Sequence, residues 1–120
     1  MAYLGMDSSN IQPTEEFPED APLRAQVEKL LHAGLRSEVE PRAYDPEMQQ
    51  SVLARLQHVL AEEVAKRVEI AGFTLHPYAA EGIEEACETC MYFLSHRQFC
   101  ALPELQLPVK PDWSCRLWRI

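Results

Sequence analysis

The chain lacks the parts that several classes of function require. Only four of its 120 residues are glycine, and they build no glycine-rich phosphate loop. It has no basic run: eleven Lys and Arg face nineteen Asp and Glu, for a formal charge of −8. Such a chain repels phosphate backbones and anionic bilayer surfaces, so no nucleic-acid partner is expected. No stretch approaches the roughly 18–20 apolar residues of a membrane span. The first ten residues, MAYLGMDSSN, carry neither the basic region nor the apolar run of a signal peptide. Gly5 is too far from Met1 for myristoylation, and the last residues are not a prenylation signal. Together these absences read as a cytoplasmic chain. Internal repeats and low-complexity segments are also missing, and no cysteine precedes residue 87.

What is present is globular in composition, with 47% hydrophobic and 25% charged residues. The acidic excess is uneven. Residues 1–20 hold Asp7, Glu15, Glu16, Glu19 and Asp20 with no base, and with Pro13 and Pro18 they read as an extended acidic arm. Residues 21–72 read as a helical hairpin. The first helix starts near Ala21–Leu23, with Asp20 as cap and Pro22 in the first turn. Leu23, Val27, Leu30, Leu31 and Leu35 form its apolar stripe, and Gly34 and Pro41 end it. Asp45-Pro46-Glu47 starts the second helix, whose face is Met48, Val52, Leu56, Val59, Leu60, Val64 and Val68. Lys66 and Arg67 fall in its last turn, Glu62→Lys66 and Glu63→Arg67 are supporting pairs, and Gly72 is the stop. Residues 73–120 are expected to form a small irregular lobe, because Pro103, Pro108 and Pro111 interrupt regular structure. Ala79–Ala86 is its one short helical stretch. The fold class expected is therefore mainly α.

That lobe holds all four cysteines, Cys87, Cys90, Cys100 and Cys115, spaced C-x2-C-x9-C-x14-C. In a reducing compartment such a set favours metal over disulfides. A CxxC pair places two thiolates on one turn, and the later cysteines close loops onto the same centre. A thiolate-only set suits either tetrahedral zinc or an iron–sulfur cluster, and spacing alone does not choose. Zinc ribbons present two tight knuckles, whereas here Cys100 and Cys115 arrive through separate loops. Four spread corners fit a cubane better than one atom. Tyr92, Phe93, Phe99, Trp113 and Trp118 are expected to pack around the centre, excluding water and tuning its potential.

The run CETCMYFLSHRQFCALPELQLPVKPDWSCRLWRI resembles the cluster-binding segment of high-potential iron–sulfur proteins (HiPIP). The shared pattern is CxxC with aromatics, a lone cysteine, and a terminal Trp next to or near the last cysteine. It is also similar to the HiPIP-like small subunits that accompany some glycyl-radical enzymes. The resemblance covers residues 87–120 and implies that Cys87, Cys90, Cys100 and Cys115 bind one [4Fe–4S] cluster. It leaves Tyr78 and Tyr92 as alternatives for a cluster-contacting tyrosine, and Ser114 separates Trp113 from Cys115. It further implies a larger protein partner, a redox or radical enzyme.

Other residues carry less. His96 lies inside the Cys90–Cys100 loop and reads as solvated; His32, His58 and His76 form no ligand spacing. Glu84, Glu85 and Glu88 read as a solvated helix face. Ser95-His96 lacks an orienting third group, so no catalysis is assigned. Three functions remain in play. One is a non-catalytic iron–sulfur accessory or electron-transfer subunit; the others are a free one-electron carrier and a zinc-stabilised interaction module.

Overall fold

The computed structural model describes residues 17–80 and 82–120. The expected arm, residues 1–20, falls almost wholly outside them. Among the described residues three helices come first: α1 (Asp20–His32), α2 (Pro46–Gln57) and α3 (Val64–Ala71). Five short strands follow: β1 (Tyr78–Ala80), β2 (Ile83–Glu85), β3 (Phe93–Leu94), β4 (Phe99–Cys100) and β5 (Leu107–Pro108). β1 and β2 form an antiparallel hairpin with Tyr78 opposite Glu85. β3, β4 and β5 form a three-stranded antiparallel sheet, in which Cys100 lies between Phe93 and Leu107. The expectation of a mainly α chain with an irregular lobe is thus corrected: the fold mixes helices with two small sheets.

The first helix begins one turn-fragment earlier than its sequence signals suggest, because Asp20 does not cap it. Asp20 is the first helical residue and is 1% exposed. Its carboxylate accepts two hydrogen bonds from Arg97, at 2.7 and 3.0 Å. The Arg97 guanidinium lies over the rings of Phe17 and Phe99, at 3.8 and 3.6 Å. Arg24, one turn on, donates to the carbonyls of Gln98 and Val109, at 2.8 and 3.1 Å. These charge-assisted bonds fasten α1 to the Cys90–Cys100 loop and to β5. Val27 is buried, and Leu23, Leu30, Leu31 and Leu35 pack against the core as the stripe requires.

The long second helix is the other correction. Its start is as expected: Asp45 Oδ1 accepts from the Met48 N–H at 2.7 Å, with Pro46 at the first helical position. The helix then stops at Gln57 and resumes at Val64. A single helix from Asp45 to Gly72 would run about 40 Å, longer than one small core can cover. Breaking it folds α3 back, so that Val52 and Leu56 of α2 and Val64, Val68 and Ala71 of α3 enter one core. Leu60, assigned to the stripe, is left 61% exposed in the turn. The Leu60 N–H donates to Glu63 at 3.0 Å, and the Glu63 carboxylate pairs with Lys66 at 3.4 Å. Arg67 turns inward instead of pairing with Glu63.

The expected short helix over 79–86 is the β1–β2 hairpin, and the proline-rich stretch contributes β5. The lobe has no separate core. Leu102, Leu105, Leu107, Val109, Trp113 and Leu117 join the helix residues in a single cluster. Each such side chain contributes roughly 1.5–3 kcal/mol on burial. Two long-range stitches set the lobe on the helices. The Thr74–Ser114 backbone pairs both ways, at 2.9 and 3.1 Å, and the Arg116 N–H donates to Ala71 O at 2.9 Å.

Gly72 ends α3 at φ +70, and a Cβ there would lie 2.3 Å from Glu38 O. Gly82 shares a positive φ of +80 but has no neighbour within 4 Å. Both Gly72→Ala and Gly82→Ala should incur the left-handed cost of about 1–3 kcal/mol. Gly72→Ala should lose clearly more, because the 33–45 segment must also move. Urea unfolding of the two variants measures the difference; equal losses would show that the close approach is unimportant.

Candidate metal centre

Three separate stretches deliver the four cysteines. The first is a 3-10 turn, Cys87–Thr89. It carries Cys87 and leads directly to Cys90, whose N–H donates to Cys87 O at 3.0 Å. The C-terminal segment holds this turn in place. The Cys87 N–H donates to Trp113 O at 2.6 Å, and the Met91 N–H to Arg119 O at 2.7 Å. Trp118 Nε1 donates to Ala86 O at 3.0 Å and lies 3.0 Å from Thr89 Oγ1. The second stretch is β4, where cross-strand pairing fixes Cys100. The third is the segment after the Thr74–Ser114 bridge, which presents Cys115.

All four cysteines are free thiols and line one small cavity of about 20 Å3. Phe73, Phe93, Val109 and Trp118 complete its wall. Among the described residues, no three His, Cys, Asp or Glu side chains are gathered as they would be around a single ion. Of the five aromatics expected at the centre, Phe93 and Trp118 reach it. Trp113 is buried edge-on against Phe73, with ring centres 6.4 Å apart. Phe99 is buried beneath Arg97, and Tyr92 packs half-buried against the core. Neither candidate tyrosine lines the cavity, since Tyr78 stacks under Arg42 and bonds to Glu40. Phe73 and Val109 are the wall residues that sequence reading missed. Neither lies near a cysteine in the chain, so no local signal marked them. His96 is exposed, as are His32, His58 and His76.

The cavity is a hostile place for an empty thiolate. Burial, then the sulfurs of Cys115, Cys100 and Cys90, pushes the Cys87 thiol well up. Burial likewise raises Cys115, and it raises Cys100 to about 12. Two features already favour the charged sulfurs. The backbone N–H groups of Leu102 and Leu117, each two residues beyond its cysteine, act to lower the Cys100 and Cys115 thiols against the effect of burial. Such hydrogen bonds to sulfur also tune a cluster's potential. A metal centre that binds four thiolates here must displace the thiol protons, so loading is favoured as pH rises.

Behind Cys115 lies a buried ion pair that sequence reading did not foresee. Glu85, expected on a solvated helix face, sits on β2 and meets Arg42 at 2.7 Å, with side chains 4% and 3% exposed. Tyr44 also donates to Glu85. The same Arg42 nitrogen donates to Cys115 O at 2.8 Å and lies 3.3 Å from Ser114 Oγ. Arg42 Nε and Nη1 find no acceptor among the described residues. The Tyr78 ring, 3.9 Å from the guanidinium carbon, takes part of that charge. Arg42 therefore ties β1, β2 and the Cys115 segment together.

Comparison with family models, with curated proteins and with solved structures finds no match for this chain. The arrangement of its own residues is what speaks for function.

Arg42→Met leaves Glu85 buried without its cation and should cost about 3–5 kcal/mol. The double variant Arg42→Met with Glu85→Met should regain most of that loss. Urea unfolding measures both, and a double variant no more stable than the single would contradict the ion pair's dominance.

Proposed function

We propose that this chain binds one [4Fe–4S] cluster through Cys87, Cys90, Cys100 and Cys115. It then acts as a non-catalytic accessory or electron-transfer subunit of a larger redox or radical enzyme in the cytoplasm. One observation carries the reading: four thiols from three backbone stretches surround a single hollow whose remaining wall is apolar. A lone zinc ion needs its four ligands at one point, at about 2.3 Å. A cubane carries its irons at separated corners, which suits cysteines delivered by three separate backbone stretches. The apolar shell keeps water from the sulfurs, and the Leu102 and Leu117 amides supply donors to them. The resemblance of residues 87–120 to HiPIP-like segments points the same way.

The electron-transfer role has a second support. Cys90 is only half-buried and its neighbour Met91 is 60% exposed, so one edge of the centre lies near the surface. The apolar faces of the helices pack largely into the chain's own core. No helix among the described residues is long and apolar enough to cross a membrane.

Protein purified without oxygen should be brown and hold about four irons and four acid-labile sulfides per chain. Colourless protein with one zinc per chain would end the cluster reading. Cys115→Ser should lose iron and unfold at lower temperature, because the hollow loses a ligand from its most buried segment; full iron content in that variant would remove Cys115 from the ligand set. Co-purification with a stoichiometric larger protein distinguishes a subunit from a diffusing carrier.

A further inference from the structure

Two buried arginines are hydrogen-bonded behind the segments that carry Cys115 and Cys100, and among the described residues only Arg42 has an ion-pair partner. Arg42, beside Cys115, has its charge matched by Glu85 at 2.7 Å. Arg67, on α3, has no such match. It is 8% exposed, and among the described residues it forms no ion pair. Its Nη1 donates to Ala61 O at 2.9 Å and its Nη2 to Gln106 O at 3.3 Å. Gln106 immediately precedes Leu107, the β5 residue paired with Cys100. The guanidinium is thus clamped behind the strand pair that carries Cys100, and burial lowers its pKa while the Cys100 sulfur offsets part of that cost. Glu104 lines the same outer groove, with Oε2 3.4 Å from Gln57 Nε2 and Oε1 buried without a partner among the described residues, but it forms no ion pair with Arg67.

A buried cation hydrogen-bonded only to carbonyls is costly unless a negative charge faces it. Four thiolates around a cubane supply that charge, and reduction adds one unit more. We propose that Arg67 is the counter-charge of the cluster, a positioning residue that touches no iron yet stabilises the reduced state and so raises the reduction potential. This rests on the cluster reading above. The physical basis is that net charge near a cluster shifts its potential, most strongly where water is excluded.

The test compares anaerobically purified wild type, Arg67→Gln, Arg67→Lys and Ala61→Glu by iron content and by spectroelectrochemical titration. Arg67→Gln should keep its iron and visible spectrum while its midpoint potential moves to lower values. Arg67→Lys, which keeps the charge, should stay near wild type; a merely structural role would not be rescued in this way. Ala61 is exposed, so Ala61→Glu introduces a carboxylate beside Arg67 without disturbing the core, and should move the potential in the same direction by less. An iron-loaded Arg67→Gln with the wild-type potential would overturn the proposal. Where Arg67→Gln does not fold, an unchanged potential in Ala61→Glu overturns it instead. Iron-free wild type would remove the cluster reading and this inference with it, whereas iron-loaded proteins with equal potentials would remove this inference alone.

Discussion

The structure depends on one constraint: four sulfurs must be held around an apolar hollow by backbone segments that are far apart in the chain. No single element can do this. The CxxC turn supplies two sulfurs but is fixed by Trp113, Arg119 and the Trp118 indole from the C-terminal segment. Cys100 is placed by its strand neighbours, and Cys115 by the Thr74 bridge and by Arg42. The helices enter the same scheme from outside. α1 grips the Cys90–Cys100 loop through Arg24 and Asp20, and α3 leads through Gly72 into Phe73, which walls the hollow.

Electrostatics is where the proposed cluster would act. Buried thiols resist ionisation, as the raised Cys87, Cys100 and Cys115 show. Yet the surroundings are arranged for negative charge, with amides aimed at two sulfurs and guanidinium groups behind Cys100 and Cys115. Metal–thiolate bonding reconciles the two, because it holds sulfur anionic in a dry site.

Much of this was legible in the residues, and the rest was hidden for physical reasons. The cysteine spacing marked four residues that come to line one cavity, and Asp45-Pro46 marked the start of α2, because both signals are local. The break between α2 and α3 was not legible. Val52, Leu56, Val64 and Val68 keep helical spacing across it, and only the size of the shared core forces the turn. The β1–β2 hairpin was missed because its alanines and glutamates favour helix, while the pull on Glu85 comes from Arg42, 43 residues earlier. Phe73, Val109 and Arg67 reach the site from positions that carry no motif. Phe99 stands next to Cys100 in sequence but is buried on the other side of β4, since adjacent residues of a strand point to opposite faces, and Trp113 packs edge-on against Phe73.

Crystals grown without oxygen and measured at the iron absorption edge test the central claim most directly. The account calls for iron anomalous density filling the hollow between Cys87, Cys90, Cys100 and Cys115, bonded to all four sulfurs. A hollow with no iron signal, a lone zinc peak, or sulfurs joined in pairs as disulfides would contradict it.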